Sequence, residues 1–190
     1  YLQLQVGLQN AGLTLDDIKL EVVSTGAIVQ ALQSDQVDAI VFSELRKYNL
    51  EGAGVDVTMI LSNDFLPSFG NVVVTSSRLL EENPDLVKRF TNAVTASYEW
   101  VIDGHVDDAL EISFEKYTPT WADQKELLST AFKNSFVASV WQSELTKEKG
   151  LGAADLDAWQ ANADILAKYE VIEEAPKAAD FVVDPSSIGE

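Results

Sequence analysis

Three short polar stretches carry the side chains best suited to holding a small molecule: Ser24-Thr25-Gly26, Ser43-Glu44 and Ser62-Asn63-Asp64. Each follows an apolar or alternating run, at 18–23, 37–42 and 55–61, of the kind that forms strands in a sheet. Ligands of open parallel α/β sheets bind beyond the carboxyl ends of the strands. Parallel strands here would therefore bring all three loops to one edge. Ser24 and Thr25 would either cap the helix expected from residue 27 or leave its N–H groups to an acceptor on a ligand. Convergence of three such loops favours a site over three separate caps.

Other chemistry finds weaker support. Gly150-Leu-Gly152 and Gly52-Ala-Gly54 begin like a dinucleotide fingerprint, but lack the third glycine and the strand–helix setting that the motif needs. They read as turns. His105 is the single histidine, follows Gly104 between two expected helices, and has no G-x-S-x-G nucleophile elbow to serve. It reads as a solvent-facing loop residue. The acid pairs Asp16-Asp17, Glu81-Glu82, Asp107-Asp108 and Glu173-Glu174 suit first turns of helices and solvated faces better than a glycosidase pair. Asp35 and Asp38 do not have the spacing of a calcium loop. Trp100 and Trp159 fall at core spacing on expected helices, whereas Trp121 and Trp141 lie near helix ends, where either could stack a planar ligand.

The elements that must position these residues divide the 190-residue chain in two. A helix over 1–12, carrying Tyr1, Leu4, Leu8 and Ala11 on one side and Gly12 at its end, starts without a capping residue; this suggests a chain that begins further upstream. Strands at 18–23 and 37–42, joined by a helix over 27–34, make a βαβ unit, followed by a helix at 44–50, a turn at Gly52 and Gly54, and a strand at 55–61. A loop or crossover containing Pro67 and Gly70 leads to a short strand at 71–75. Beyond it the pattern is helical: 77–82, 84–103 on Leu86, Val87, Phe90, Val94, Tyr98 and Val101, then 106–117, 123–136 and 154–169, with a polar, extended tail after Ala175. The expected fold is thus α/β, with a composition shift near 62–75 marking the boundary between its parts.

Composition excludes several classes. Hydrophobic residues make up 46% of the chain, enough for a core. Acidic residues outnumber basic ones 31 to 13, and a net charge of −18 repels phosphate backbones, so no nucleic-acid partner is expected. Without cysteine there is no disulfide, thiolate zinc site or thiol nucleophile, and compartment cannot be read from redox chemistry.

Several segments resemble type II solute-binding proteins of ABC importers. Ala11 to Leu20, with Asp16 and Asp17, and Ala31 to Ala39, with Asp35 where those proteins carry glycine, match a helix-and-turn segment of that superfamily. Glu82-Asn83-Pro84-Asp85-Leu86-Val87 resembles its N-P-x-x-V helix. Trp141, Gly150-Leu151-Gly152, Leu156 to Gln160 and Val171-Ile172 look like the branch that binds thiamine pyrimidine precursors, a branch with relatives that take riboflavin, taurine, sulfonates or nitrate. The resemblance implies a type II periplasmic-binding-protein-like fold of two lobes joined by a hinge, with the N-terminal part of lobe one absent. Residues 1–64 would form lobe two and 65–190 the C-terminal part of lobe one.

It also implies a periplasmic or otherwise extracytoplasmic binder rather than an enzyme, with no cofactor and no metal. Its partners would be a small-molecule ligand held in an interlobe cleft and an ABC permease in the membrane. The expected ligand is an aminopyrimidine-like thiamine precursor, contacted by Ser24, Thr25, Gly26, Ser43, Glu44, Tyr48, Asp64 and Asn71. Glu44 would accept from a ring amino group, Asp64 would pair a second donor, and Tyr48 or Trp121 would stack the ring; Glu51 is the alternative to Glu44. The rivals are a pyrimidine-synthesis enzyme on the same fold and the effector domain of a transcription factor. Lacking its upstream strands, the chain would bind its ligand weakly, and an open sheet edge would favour self-association.

Overall fold

The structure is a computed structural model that describes residues 1–66, 69 and 71–189. The chain divides into two compact units, Tyr1–Ser68 with Asp164–Ala175 and Phe69–Ala163 with Pro176–Glu190.

In the first unit α1 spans Leu2–Asn10 and buries Val6 completely. The face expected to carry Tyr1 inward is turned instead, and Tyr1 stays 71% exposed. Gly7 lets Phe65 lie against this helix: a Cβ there would come within 3.1 Å of the Phe65 ring. Thr14 and Asp17 close a capping box around the 3₁₀ turn Leu15–Asp17. Two short helices follow, α2 (Ile28–Gln33) and α3 (Leu45–Gly52), which pack on each other and bury Ala31 and Leu50. A second 3₁₀ turn, Ser62–Asp64, is tied to α1 where the Gln3 amide donates to Ser62 Oγ at 3.3 Å.

The second unit is built on α4 (Ser77–Glu82), α5 (Pro84–Ile102), α6 (Val106–Lys116), α7 (Lys125–Ala131), α8 (Glu144–Lys149) and α9 (Leu156–Lys168), whose last residues pass into the first unit. Asn83 starts α5 as its sequence dictates: its Oδ1 accepts from the Leu86 N–H at 3.1 Å and Pro84 occupies the first helical position. Gly104, at φ +113°, ends it. Directly after α7 the chain widens into a π-helix, Phe132–Val140, which carries it past the ordinary α-helix expected to end near 136. Here Phe132 and Phe136 stack at 4.8 Å, and Trp141 leans on both while meeting Tyr98 edge-on at 4.9 Å. The core of this unit is Val87, Val106, Leu110, Phe114, Leu128, Ala131 and Ala163.

The tail after Ala175 is not the polar, extended segment its composition suggests. It forms 3₁₀ turns at Ala178–Asp180 and Pro185–Ser187 and buries Ala178 and Ile188. The Gln160 amide donates to the Pro176 carbonyl and accepts from the Ala178 N–H, Asp184 accepts from the Ala154 N–H at 3.1 Å, and Lys88 donates to the Ile188 carbonyl at 3.0 Å.

The α/β fold, with its two sheet-bearing lobes and hinge, is overturned. Among the described residues there is no strand: 18–23, 37–42, 55–61 and 71–75 run outside any ladder. Alternation makes a segment able to pair, but a strand exists only when a neighbour takes its N–H and C=O groups. Backbone bonds outside the helices among the described residues are all local. With no sheet to bury them, Val22, Ile60 and Val74 stand 90%, 80% and 83% exposed. The expected loop or crossover at Pro67 and Gly70 lies outside the described residues.

Candidate functional site

With no sheet among the described residues there is no common edge to gather the three polar loops, so each candidate must be placed by its own element. Ser43 and Glu44 enter α3 directly: the Ser43 carbonyl accepts from the Arg46 N–H at 3.0 Å and Glu44 is the residue before the first helical one. Tyr48 follows one turn later on the same side as Glu44, the i,i+4 relation that brings side chains together on a helix. Burial, and next the Glu44 carboxylate, push the Tyr48 hydroxyl above the ordinary tyrosine range. Both disfavour phenolate, so Tyr48 remains a neutral hydrogen-bond donor. Glu44, Tyr48 and Ser43 form the coherent part of the predicted set.

Ser24, Thr25 and Gly26 are exposed and lead into α2, which packs on α3. Neither hydroxyl caps α2; the residue at that position is Ala27, with no side-chain bond. Of the two alternatives for Ser24 and Thr25, capping is thus not the one seen, and both residues are exposed. Asp64 is exposed in the turn held to α1 through Ser62, a different part of the first unit. Asn71 belongs to the second unit, as does Trp121, which is 48% exposed in the 3₁₀ turn Pro119–Gln124. Glu51 is engaged by Lys47 at 3.6 Å.

Two features escaped the sequence reading. The first is Arg46, whose guanidinium lies over the Phe42 ring at 4.9 Å and donates to Asn49 Oδ1 at 3.2 Å. No pattern of single residue types marks it, because its distinction lies in what surrounds it. The second is an open groove of about 460 Å³ between α5 and α6, lined by Ala96, Ser97, Trp100, Val101, Ala109 and Ile112. At its Trp100 wall the indole stacks on His105 at 4.6 Å, nearly parallel, and His105 Nδ1 meets Asp108 Oδ2 at 2.8 Å. The loop histidine thus closes the α5–α6 corner. Trp100 itself is 40% exposed, not the core residue its spacing implied. Trp159 is half-buried, stacked on Phe69 at 4.0 Å.

Among the described residues no helix is long and apolar enough to cross a membrane, and no group of three or more His, Asp or Glu side chains could hold a metal ion.

Residues 2–105 match the family described as NMT1/THI5 like, and the chain belongs to that family, a branch of the solute-binding proteins of ABC importers. That span takes in α1 to α5 and the eight expected contact residues from Ser24 to Asn71, but not Trp121. Among curated proteins, the riboflavin-binding protein RibY of Chloroflexus aurantiacus is 27% identical over 163 residues, covering 84% of this chain and 43% of RibY. The chain spans less than half the length of that relative. No solved structure matches it.

Proposed function

We propose that this chain is part of the extracytoplasmic solute-binding component of an ABC importer, that it binds rather than transforms its ligand, and that the ligand is a flavin. The observation that carries the reading is the similarity to a riboflavin-binding protein along 84% of the chain, within a family that covers all eight predicted contact residues. The α3 surface supports it chemically. An isoalloxazine offers a broad ring, an imide N–H and carbonyl acceptors. Tyr48 supplies a flat face and a neutral hydroxyl donor, Glu44 an acceptor for the imide N–H, and Ser43 a hydroxyl of either sense. Ser24, Thr25 and Gly26, Asp64 and Asn71 are further proposed contacts of the whole protein with its solute.

The second reading is the aminopyrimidine thiamine precursor, favoured by the resemblance of 141–172 to that branch. It uses the same Glu44 carboxylate, now accepting from a ring amino group.

Flavin fluorescence decides between them. Riboflavin titrated with the 190-residue chain should quench saturably, and Glu44→Gln should weaken binding about 10- to 100-fold, the effect of losing one charge-assisted hydrogen bond. Calorimetric binding of an aminopyrimidine without flavin quenching would replace the first reading by the second. Binding of neither would reject both.

A further inference from the structure

Arg46 is an unmatched cation in a chain that has acid to spare. Carboxylates outnumber basic groups 31 to 13, and the other two arginines each sit beside one: Arg78 by Glu82 at 3.4 Å and Arg89 by Asp85 at 3.0 Å. Arg46 has no carboxylate within ion-pair distance among the described residues, and its Nε is buried without a hydrogen-bond partner. Its position is nevertheless fixed. The Phe42 ring lies under the guanidinium and Asn49 takes one of its terminal N–H groups. Glu44 is two residues away, a spacing that puts side chains on different faces of a helix, and Glu51 is held by Lys47.

A planar fork held in place, partly stripped of water and left without a counter-charge is the arrangement that receives an oxyanion. Desolvation strengthens its field, and pre-positioning removes the ordering cost that an exposed arginine would meet on binding. We infer that Arg46 anchors an oxyanion, the carboxylate or phosphate group of a small ligand, on the Phe42–Asn49 side of α3. The open terminal nitrogen of the guanidinium makes the contact, while the Phe42 ring covers the opposite face. This site is separate from the Glu44–Tyr48 side and stands whether or not the flavin reading does.

The probe is inorganic phosphate, titrated into the ¹⁵N-labelled chain at constant ionic strength against chloride, with the three arginine Nε–H resonances followed together. The Arg46 resonance should move saturably, while those of Arg78 and Arg89 drift weakly and without saturation. Arg46→Gln should reduce phosphate affinity at least about tenfold, and Arg46→Lys should keep part of it, since the charge remains but the fork is lost. Circular dichroism establishes that each variant is folded; if Arg46→Gln is not, the resonance shifts of the unaltered chain decide alone. An Arg46 resonance that does not saturate, or that moves no more than that of Arg89, overturns the assignment.

Discussion

Ser135 shows how much one atom can matter inside a helical unit. The residue is 1% exposed in the π-helix, and its Oγ is buried with no hydrogen-bond partner. A hydroxyl in that position has lost its water and gained nothing in return. Ser135→Ala should therefore raise unfolding stability by about 1 kcal/mol in urea titrations; an equal loss would mean that the hydroxyl is satisfied after all. Tyr48 gives a pH signature. Its folded pKa is raised by burial first and Glu44 second, so the group favours folding below the ordinary tyrosine pKa of about 10, and that contribution is lost as pH rises through the folded value. Difference titration of the phenolate absorbance between the unaltered chain and Tyr48→Phe should show late ionisation. Glu44→Gln should bring it earlier, while burial keeps it above the free value. Glu44 and Tyr48 were each legible in the sequence as candidate contacts, and their i,i+4 relation on one helix emerged with α3. Arg46 was not legible, because no spacing rule says which cation will be left without a carboxylate.

At the scale of elements, the start of α5 follows from local rules. Asn83 accepts from the Leu86 N–H and Pro84 presets the first turn, both within one short stretch of chain. Asn83→Ala should cost about 1 kcal/mol of stability in denaturant titrations, and no change would show that the cap is not limiting. The C-terminal tail follows from contacts far along the chain. Asp184 is held below the usual carboxylate range by the Ser186 hydroxyl first, then by the N–H groups of Ala154 and Ser186. Its contribution is present above the ordinary aspartate pKa of about 3.9 and is lost as pH falls through the lower folded value. Asp184→Ala should cost about 1–2 kcal/mol and speed hydrogen exchange at the Ala154 amide and at 178–188. Unchanged exchange there would show that Lys88 and Gln160 suffice to hold the tail.

Over the whole molecule, charge dominates. A net charge of −18 spread over 190 residues repels itself in the folded state, and the exposed ion pairs return little. Raising salt from about 10 to about 150 mM shortens the screening length from about 30 to about 8 Å. The thermal midpoint should rise over that interval at fixed pH. A fall would mean that pairs such as Lys133–Asp107 and Lys125–Glu111, which join α7 and its continuation to α6, outweigh the repulsion.

By itself the sequence determined what depends on neighbours a turn or less away. It placed the bodies of α1 to α7 and of α9, the Asn83-Pro84 start, the Gly12 and Gly104 ends, and the kinship that family comparison bears out. Helices satisfy their own backbone, so their periodicity is evidence enough. Tertiary structure decided the rest. Alternation at 18–23, 37–42 and 55–61 states only a capacity to pair; the described chain supplies no partner, and no sheet forms. Which face of α1 turns inward, why Leu86 and Phe90 on α5 stay exposed while Val87 is buried, and which arginine lacks an acid all depend on residues distant in sequence. Those relations exist only once the chain has folded, because contact between remote segments is a property of their arrangement and not of either segment alone.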